Sequence, residues 1–284
     1  MFLLLLACTG VEPVAPEPAP KLAAPDLGSM TARTVKAEKR LADSPAGELL
    51  WLSMEAHGGL GNWYAVSPIA FRFDYRPVDP TKKVRDSEQL VDTWSSRATH
   101  RVSGNEQLRF GWDGSQAWKI EPEGQVLEIN PRFWSMTPAY FVGVPFVFAD
   151  PGTVLELGPD ETVRDQLWNT VKVSYESGVG DAPDDWYVVY LHPETHRVGG
   201  LRYVVSYPGF FPDGGHSPEK WMAYNGELQI GDVTVAASHQ TFTWGPEGLG
   251  DKVTDITVSG LESRKNTLDE AFQVPEGAVV LTGY

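Results

Sequence analysis

The sequence is almost without cysteine, since Cys8 is the only one among 284 residues. A single thiol cannot form a disulfide within the chain, and it cannot supply the several cysteines of a structural zinc site. The folded part must therefore be stabilised by its hydrophobic core. That core can be large, because 42% of the residues are hydrophobic and ten are tryptophan.

Basic residues are also scarce, and no long apolar run is present. The 23 lysines and arginines face 38 aspartates and glutamates, which gives a formal net charge of −15. Nucleic acids and anionic lipid headgroups attract proteins through basic patches, so we expect neither as an electrostatic partner. The apolar run at residues 2–7 is far shorter than the roughly 20 residues that cross a membrane.

The residues around Cys8 resemble a processing signal. Leu5-Leu6-Ala7-Cys8 is similar to the lipobox of bacterial lipoproteins, in which a peptidase cuts before the cysteine and the thiol carries a diacylglycerol. No Lys or Arg precedes the apolar run, so we expect the natural start codon to lie upstream. A chance hydrophobic terminus and a buried structural cysteine are the alternatives.

Composition divides the chain into three parts. Residues 1–7 are the predicted signal remnant, and residues 8–36 are rich in Pro and Ala and have little to bury. Such a segment is typical of an extended, semi-rigid tether. Residues 37–284 are then a single domain, held at a membrane by an acylated Cys8. Thr9 follows the cysteine, which by the enterobacterial sorting rule indicates the outer membrane, and we expect its periplasmic face.

The domain is predicted to begin with a helix and to continue as strands. Ser44 is a candidate N-cap of this helix, and Gly58-Gly59 ends its apolar stripe. From residue 69 onward, apolar and polar residues alternate as in half-buried strands. Asp113-Gly114 and residues 192–195 are turn sequences that predict two hairpins. Successive strands joined by short turns predict a large antiparallel sheet.

Residues 130–152 interrupt this alternation. The stretch is rich in aromatic residues and has prolines at 131, 138, 145 and 151, which would remove hydrogen bonds from a central strand. We expect one or two short helices instead, starting near Asn130-Pro131 and near Thr137-Pro138. They would lie across the concave face of the sheet as a lid, because so apolar a segment must be covered.

The order of these elements resembles the periplasmic lipoprotein carriers and receptors of the LolA/LolB fold. Those proteins often finish with Asn-x-x-Leu-(Asp/Glu)-x-x-Phe-x-(Val/Phe)-Pro-x-Gly. The matching residues here are Asn266, Leu268, Asp269, Phe272, Val274, Pro275 and Gly277. The stretches AHGGLGNW and FVFADPGT resemble an uncharacterised family of exported bacterial proteins with that fold. The resemblance covers about residues 37–284.

This resemblance implies a mainly β domain with few helices, of the α+β class. A large curved antiparallel sheet would form an incomplete β-barrel, covered by an N-terminal helix and by the mid-chain helical lid. In the carriers, the barrel encloses a hydrophobic cavity that receives acyl chains. The expected partner is therefore a hydrophobic small molecule or a lipid acyl chain, with no cofactor and no catalytic residue.

Aromatic side chains are the candidate wall of that cavity, since ligand pockets are mostly apolar and aromatic. Three of the candidates lie on consecutive predicted strands, and three lie on the predicted lid. They are Trp94, Trp112, Trp118, Trp134, Phe141 and Phe146. The alternative is an ordinary core in which these large rings pack against each other.

Other motifs offer little chemistry. His192 and His196 are four apart, but Pro193 places them in a turn, so they need not share a face as helical zinc ligands do. The acidic stretch at residues 181–185 lacks the spacing of a calcium loop, and we expect an acidic hairpin loop there. No Gly-x-Ser-x-Gly elbow, which would indicate a serine hydrolase, occurs in the sequence.

Three functions compete on this sequence. The first is a monomeric, lipid-anchored, non-enzymatic protein that binds an apolar ligand. The second is an envelope protein with a filled core, whose sheet is a surface for protein interactions. The third is a hydrolase of envelope glycans with a spatial pair of carboxylates, which a sequence cannot reveal. We favour the first.

Overall fold

The computed structural model describes residues 27–182, 184–267 and 269–284. In these ranges the α-helices are α1 (Leu27–Leu41), α2 (Pro45–Ala56), α3 (Leu60–Ala65) and α4 (Pro131–Val142). Short 3-10 helices span Phe146–Ala149 and Asp269–Phe272. None of the described helices is both long and apolar enough to cross a membrane.

Strands make up most of the regular structure. In chain order they are β1 (Ile69–Pro77), β2 (Arg85–Asp92), β3 (Arg97–Val102), β4 (Asn105–Trp112), β5 (Ala117–Ile120), β6 (Thr153–Leu157), β7 (Glu161–Val163), β8 (Gln166–Tyr175), β9 (Tyr187–Leu191), β10 (Val198–Tyr203), β11 (Lys220–Asn225), β12 (Leu228–Ile230), β13 (Val233–Val235), β14 (Ser238–Gly245), β15 (Gly248–Ser263) and β16 (Val279–Val280).

One antiparallel sheet contains fourteen of these strands. Their order is β16-β5-β4-β3-β2-β1-β15-β14-β11-β10-β9-β8-β6, with β7 paired to β8, while β12 and β13 form a separate hairpin. The end strands β16 and β6 do not pair with each other in the described chain, so the sheet is not closed. The predicted fold class, a mainly β domain with an incomplete barrel and few helices, is confirmed.

Helix α2 has the predicted ends. Ser44 is its N-cap, and the Oγ atom accepts a hydrogen bond from the Gly47 N–H at 3.1 Å. Beyond the helix, Gly58 has a φ of +105°, and a Cβ atom there would lie 2.0 Å from the Asp232 carbonyl oxygen. Only glycine fits at this position, since both the backbone angle and the close approach exclude a side chain.

Helix α1 starts earlier than the predicted domain. It begins at Leu27, whereas the sequence predicted an extended tether up to residue 36. Ala37 and Leu41 of this helix are buried in the main core, and their burial against the other helices stabilises a helix where composition alone predicted a tether. The signal remnant at residues 1–7, Cys8 and the tether up to residue 26 lie outside the described residues.

The alternation predicted for β1 is present. Phe71 and Phe73 are each 2% exposed and belong to the main core, while Arg72 between them is exposed. We call this core side of the sheet the inner face and the opposite side the outer face. The Asp113-Gly114 turn joins β4 to β5, and residues 192–195 join β9 to β10, so both predicted hairpins are confirmed.

The lid is one helix followed by a 3-10 turn. Asn130 is the N-cap of α4 and accepts a hydrogen bond from the Phe133 N–H at 3.0 Å, so the predicted first start is confirmed. The predicted second start near Thr137-Pro138 is wrong, because Pro138 lies inside α4. Pro138 is buried on the core side of the helix, and this packing offsets the loss of one backbone hydrogen bond.

Candidate functional site

Helix α4 rests directly on the inner face of the sheet. Trp134 packs edge-on against Tyr75 of β1, with ring centroids 5.2 Å apart. Farther along the helix, the Tyr224 hydroxyl of β11 donates to the Phe141 carbonyl at 3.1 Å. The centre of the concavity is therefore filled, and free space lies on the two sides of α4.

The larger space, which we call the tyrosine pocket, lies between α4 and strands β8–β10. Its volume is about 340 Å³, within the usual range of about 300–1,000 Å³ for ligand pockets. Aromatic side chains dominate its lining. The lining residues are Trp112, Arg132, Phe133, Met136, Thr137, Tyr140, Phe141, Tyr175, Val179, Gly180, Asp181, Ala182, Asp185, Tyr187, Tyr203, Val205 and Tyr207.

The smaller space, which we call the arginine pocket, lies between α4, strands β2–β4 and the segment before α4. Its volume is about 180 Å³. The lining residues are Phe73, Lys83, Val84, Arg85, Asp86, Ser87, Val102, Leu108, Phe110, Val126, Leu127, Glu128, Ile129, Trp134 and Pro138. The two pockets share no lining residue, so they are separate spaces.

Phenol hydroxyls converge in the tyrosine pocket. The hydroxyls of Tyr140 and Tyr175 form a short hydrogen bond with each other. Tyr187 donates to the Asp185 Oδ2 atom at 3.2 Å. Burial raises the pKa of all three phenols above the ordinary value, so they stay neutral at physiological pH. The pocket thus combines apolar rings with neutral groups that can donate and accept hydrogen bonds.

The two aspartates of the tyrosine pocket are both engaged with other protein groups. Asp185 is buried and accepts hydrogen bonds from the Ser206 N–H at 2.5 Å and from its hydroxyl at 2.8 Å, while burial raises the pKa of the carboxyl. Asp181 is held by Arg132 through two contacts of 2.6 and 2.8 Å. Both carboxylates therefore have protein partners within the pocket wall.

The mouth of the tyrosine pocket has an ion pair that sequence reasoning missed. Arg132, near the start of α4, pairs with Asp181 of the β8–β9 loop. The guanidinium also lies 5.4 Å from the Trp112 ring centre and 4.9 Å from that of Tyr284. This arrangement links the lid to the β8–β9 loop and to Tyr284. These residues are far apart in the sequence, so no local motif predicts their contacts.

The six rings predicted to form one wall are divided. Trp112 and Phe141 line the tyrosine pocket, and Trp134 lines the arginine pocket. Trp94, Trp118 and Phe146 line neither of them. The prediction of a single wall is therefore corrected to two separate sets of lining residues.

Strand register explains the position of Trp118. Trp118 lies opposite Gly111, and its neighbour Ala117 lies opposite Trp112. Side chains alternate along a strand, so Trp118 and Trp112 point to opposite faces. Trp118 is on the outer face, where a Cβ at Gly111 would come within 2.6 Å of its ring.

Trp94 and Phe146 belong to the core beneath the N-terminal helices. Trp94 is in the turn between β2 and β3, not on a strand, and its ring packs edge-on against Tyr64 at 5.2 Å. Phe146 is in the 3-10 helix and stacks on Trp63 of α3, with centroids 5.1 Å apart. Both rings pack against other aromatic side chains of this core.

The His192/His196 pair and the acidic stretch at residues 181–185 do not bring together a set of metal ligands in the described part of the chain. No group of three or more His, Cys, Asp or Glu residues there is close enough to hold a metal ion. The Nδ1 atom of His192 instead accepts backbone hydrogen bonds from Glu194 at 3.2 Å and from Thr195 at 3.3 Å. This imidazole stabilises the β9–β10 turn.

Comparison with known proteins identifies the fold. No family model and no curated protein matches the chain. The crystal structure of a LolA superfamily protein from Nitrosomonas europaea matches 81% of this chain and 97% of its own, with a TM-score of 0.53 and 10% identity. A DUF1329 family protein from Desulfovibrio piger matches 81% of this chain and 98% of its own, with a TM-score of 0.52 and 10% identity. The chain has a LolA-like fold, as its sequence predicted.

Proposed function

We propose that this protein is a non-enzymatic, lipid-anchored protein of the cell envelope that binds a lipid or an acyl chain in the tyrosine pocket. The observation that carries the proposal is the pocket itself, a space of about 340 Å³ between the lid and the sheet. Its aromatic lining favours an apolar ligand. The LolA-like fold supports a position for such a ligand between the lid and the sheet.

The polar groups of the pocket suit the neutral end of such a ligand. Tyr140, Tyr175 and Tyr187 are uncharged phenols that can bond to an ester, amide or hydroxyl group. Arg132 and Asp181 neutralise each other at the mouth, so this pair presents no unpaired charge to the interior of the pocket. A ligand with a neutral polar group and an apolar chain therefore matches both parts of the lining.

Uptake of a fluorescent fatty-acid analogue tests the proposal. Phe141 is half-buried and lines the pocket, so Phe141→Asp places a charge in an apolar wall. We expect Phe141→Asp to lower uptake at least about tenfold, equivalent to about 1.4 kcal/mol. Leu52→Asp makes a comparable change at an exposed position of α2, 47% exposed, and should bind like the wild type.

A second variant separates loss of binding from loss of folding. Met136 is half-buried and lines the same pocket, so Met136→Trp fills space without introducing charge. We expect this variant to keep the circular dichroism spectrum of the wild type and to take up less probe. A folded wild type that takes up no apolar probe would contradict the proposal.

The anchor is tested separately from the pocket. Cys8 is followed by the predicted tether and preceded by the apolar run, which together support acylation. With a complete signal restored, metabolic labelling with a fatty-acid probe should mark the parent protein and not Cys8→Ser. Each buried methylene adds about 0.8 kcal/mol of membrane affinity, so anchoring should need more than one chain. Equal labelling of both proteins, or of neither, would contradict the anchor.

An interaction scaffold is the second candidate. The contact between Trp134 and Tyr75 fills the middle of the concavity, which supports a rigid core with the lid fixed on the sheet. A scaffold should take up no apolar probe even when folded. The uptake measurement therefore distinguishes the two candidates directly.

A further inference from the structure

Arg85 is a half-buried cation without an anionic partner. It lies on the wall of the arginine pocket, with its guanidinium 4.7 Å from the ring centre of Trp134 and 5.4 Å from that of Tyr75. One guanidinium nitrogen donates to the Lys83 carbonyl at 3.1 Å, while the buried Nε atom has no hydrogen-bond partner. No carboxylate within the described ranges forms an ion pair with this side chain.

The carboxylates that line the same pocket are already paired elsewhere. Asp86 accepts two hydrogen bonds from Arg72, at 2.8 and 2.5 Å. Glu128 pairs with Lys83 at 2.8 Å, and both of these side chains are 62% exposed. Arg85 therefore stays unneutralised even though the chain carries an excess of acidic residues.

A second cation lies near Arg85 on the inner face. Lys220 of β11 is half-buried, and no described carboxylate pairs with it. Burial lowers the pKa of both side chains, and the positive charge of Arg85 lowers the pKa of Lys220 further. Two half-buried like charges raise the free energy of the folded protein unless an anion compensates them.

We propose that the arginine pocket binds an anionic oxygen group, a carboxylate or a phosphate, that carries a short apolar chain. The guanidinium fork of Arg85 would hold the anion through its free N–H groups. Lys220 does not line the pocket and would act on the anion only through its charge. The rings of Phe73, Phe110 and Trp134 would surround the chain. This site is separate from the tyrosine pocket and does not depend on the function proposed for that pocket.

The size of the pocket limits its ligand. Its volume of about 180 Å³ is below the range of about 300–1,000 Å³ that encloses a drug-sized molecule. A long-chain lipid would not fit entirely, whereas a short amphipathic anion or the charged end of a longer one would. The apolar rings next to the guanidinium favour the amphipathic form over a bare, strongly hydrated anion.

Calorimetric titration at pH 7 with decanoate, decanol and inorganic phosphate tests this proposal. Decanol has the same chain length as decanoate without its charge. We expect the wild type to bind decanoate about tenfold more tightly than decanol, a difference of about 1.4 kcal/mol. Arg85→Gln should lose this preference, and Arg85→Lys should keep part of it. Arg101→Gln, which changes an exposed arginine of β3, should behave like the wild type.

The remaining outcomes identify the ligand or overturn the proposal. Binding of inorganic phosphate that is lost in Arg85→Gln would assign the site to free anions, and decanoate binding without phosphate binding would assign it to amphipathic ones. Equal affinity for decanoate in wild type and Arg85→Gln would overturn the anion site. Thermal unfolding of the ligand-free variants gives a further check, because removal of an unpaired buried charge should not destabilise the fold. A clear loss of stability in Arg85→Gln would make Arg85 a structural residue instead.

Discussion

Lowering the pH from 7 to 4 should strongly destabilise this domain. Two histidines on the inner face of the sheet, His100 and His239, are completely buried, with exposures of 1% and 0%. Burial lowers the pKa of His100 to about 4, although its hydrogen bond to the Ser135 carbonyl raises it. Burial lowers the pKa of His239 to about 3, and neither ring nitrogen has a hydrogen-bond partner. Both side chains are therefore neutral in the folded protein.

The direction of the pH effect follows from these lowered pKa values. An unfolded chain protonates its histidines below a pH of about 6.5, whereas the folded chain resists protonation until about pH 4 or lower. The unfolded state thus binds more protons between these limits, so the free energy of unfolding falls as the pH falls. Each histidine should contribute a loss of about 3 kcal/mol by pH 4, which together is comparable to a whole-domain stability of about 5–15 kcal/mol.

Urea unfolding followed by circular dichroism between pH 7 and pH 4 measures this effect. His239→Leu removes one titrating group whose ring makes no hydrogen bond, so its loss of stability with acid should be about 3 kcal/mol smaller than in the wild type. His216→Gln changes an exposed histidine and should follow the wild-type curve. A free energy of unfolding that stays constant from pH 7 to pH 4 would contradict the prediction.

Asp92→Asn should destabilise the domain by about 3–5 kcal/mol, the usual cost of breaking a buried ion pair. Asp92 is 3% exposed and accepts hydrogen bonds from Ser67, from the Trp94 N–H and from Ser95. It also pairs with the buried Arg97 at 2.7 Å. Burial raises the pKa of this carboxyl, but the hydrogen bonds outweigh it and the pKa is lowered overall.

A matched control separates burial from the loss of charge. Asp255→Asn makes the same chemical change in an exposed pair with Lys252, whose side chains are 46% and 38% exposed. Exposed pairs contribute about 1 kcal/mol at most, so this variant should be close to the wild type. Both variants are compared by urea unfolding at pH 7. Similar stability losses in the two variants would show that the buried ion pair of Asp92 and Arg97 contributes no more than an exposed pair.

The features that sequence predicted correctly depend on short-range chemistry. The Ser44 cap, the helix start near Asn130, the Asp113-Gly114 turn and the alternation in β1 are each set by a few neighbouring residues. Caps and turns satisfy backbone groups locally, so their signals are present in the sequence itself. The order of strands and turns predicted the large antiparallel sheet, and the resemblance to the LolA/LolB fold implied the incomplete barrel.

The candidate site depends on long-range contacts, and sequence predicted it only in part. Phe141 and Trp112 line the tyrosine pocket, whereas Trp118 lies on the outer face because the register across the Asp113-Gly114 turn decides its direction. The division of the space into two pockets follows from the packing of Trp134 on Tyr75, which pattern reasoning cannot foresee. The isolated charge of Arg85 is likewise visible only when its neighbours are known.

The pairing of β1 with β15 determines when the domain can finish folding. Ile69 pairs with Ser263, and Pro77 pairs with Thr254, so the middle of the sheet joins an early and a late part of the chain. A chain that is synthesised or exported from its N-terminus cannot complete this ladder until residue 263 has emerged. Before then, β1 and β14 each have an unpaired edge that can associate with other chains. Such distant pairing also slows folding, so the nascent domain has a long interval in which it needs protection from aggregation.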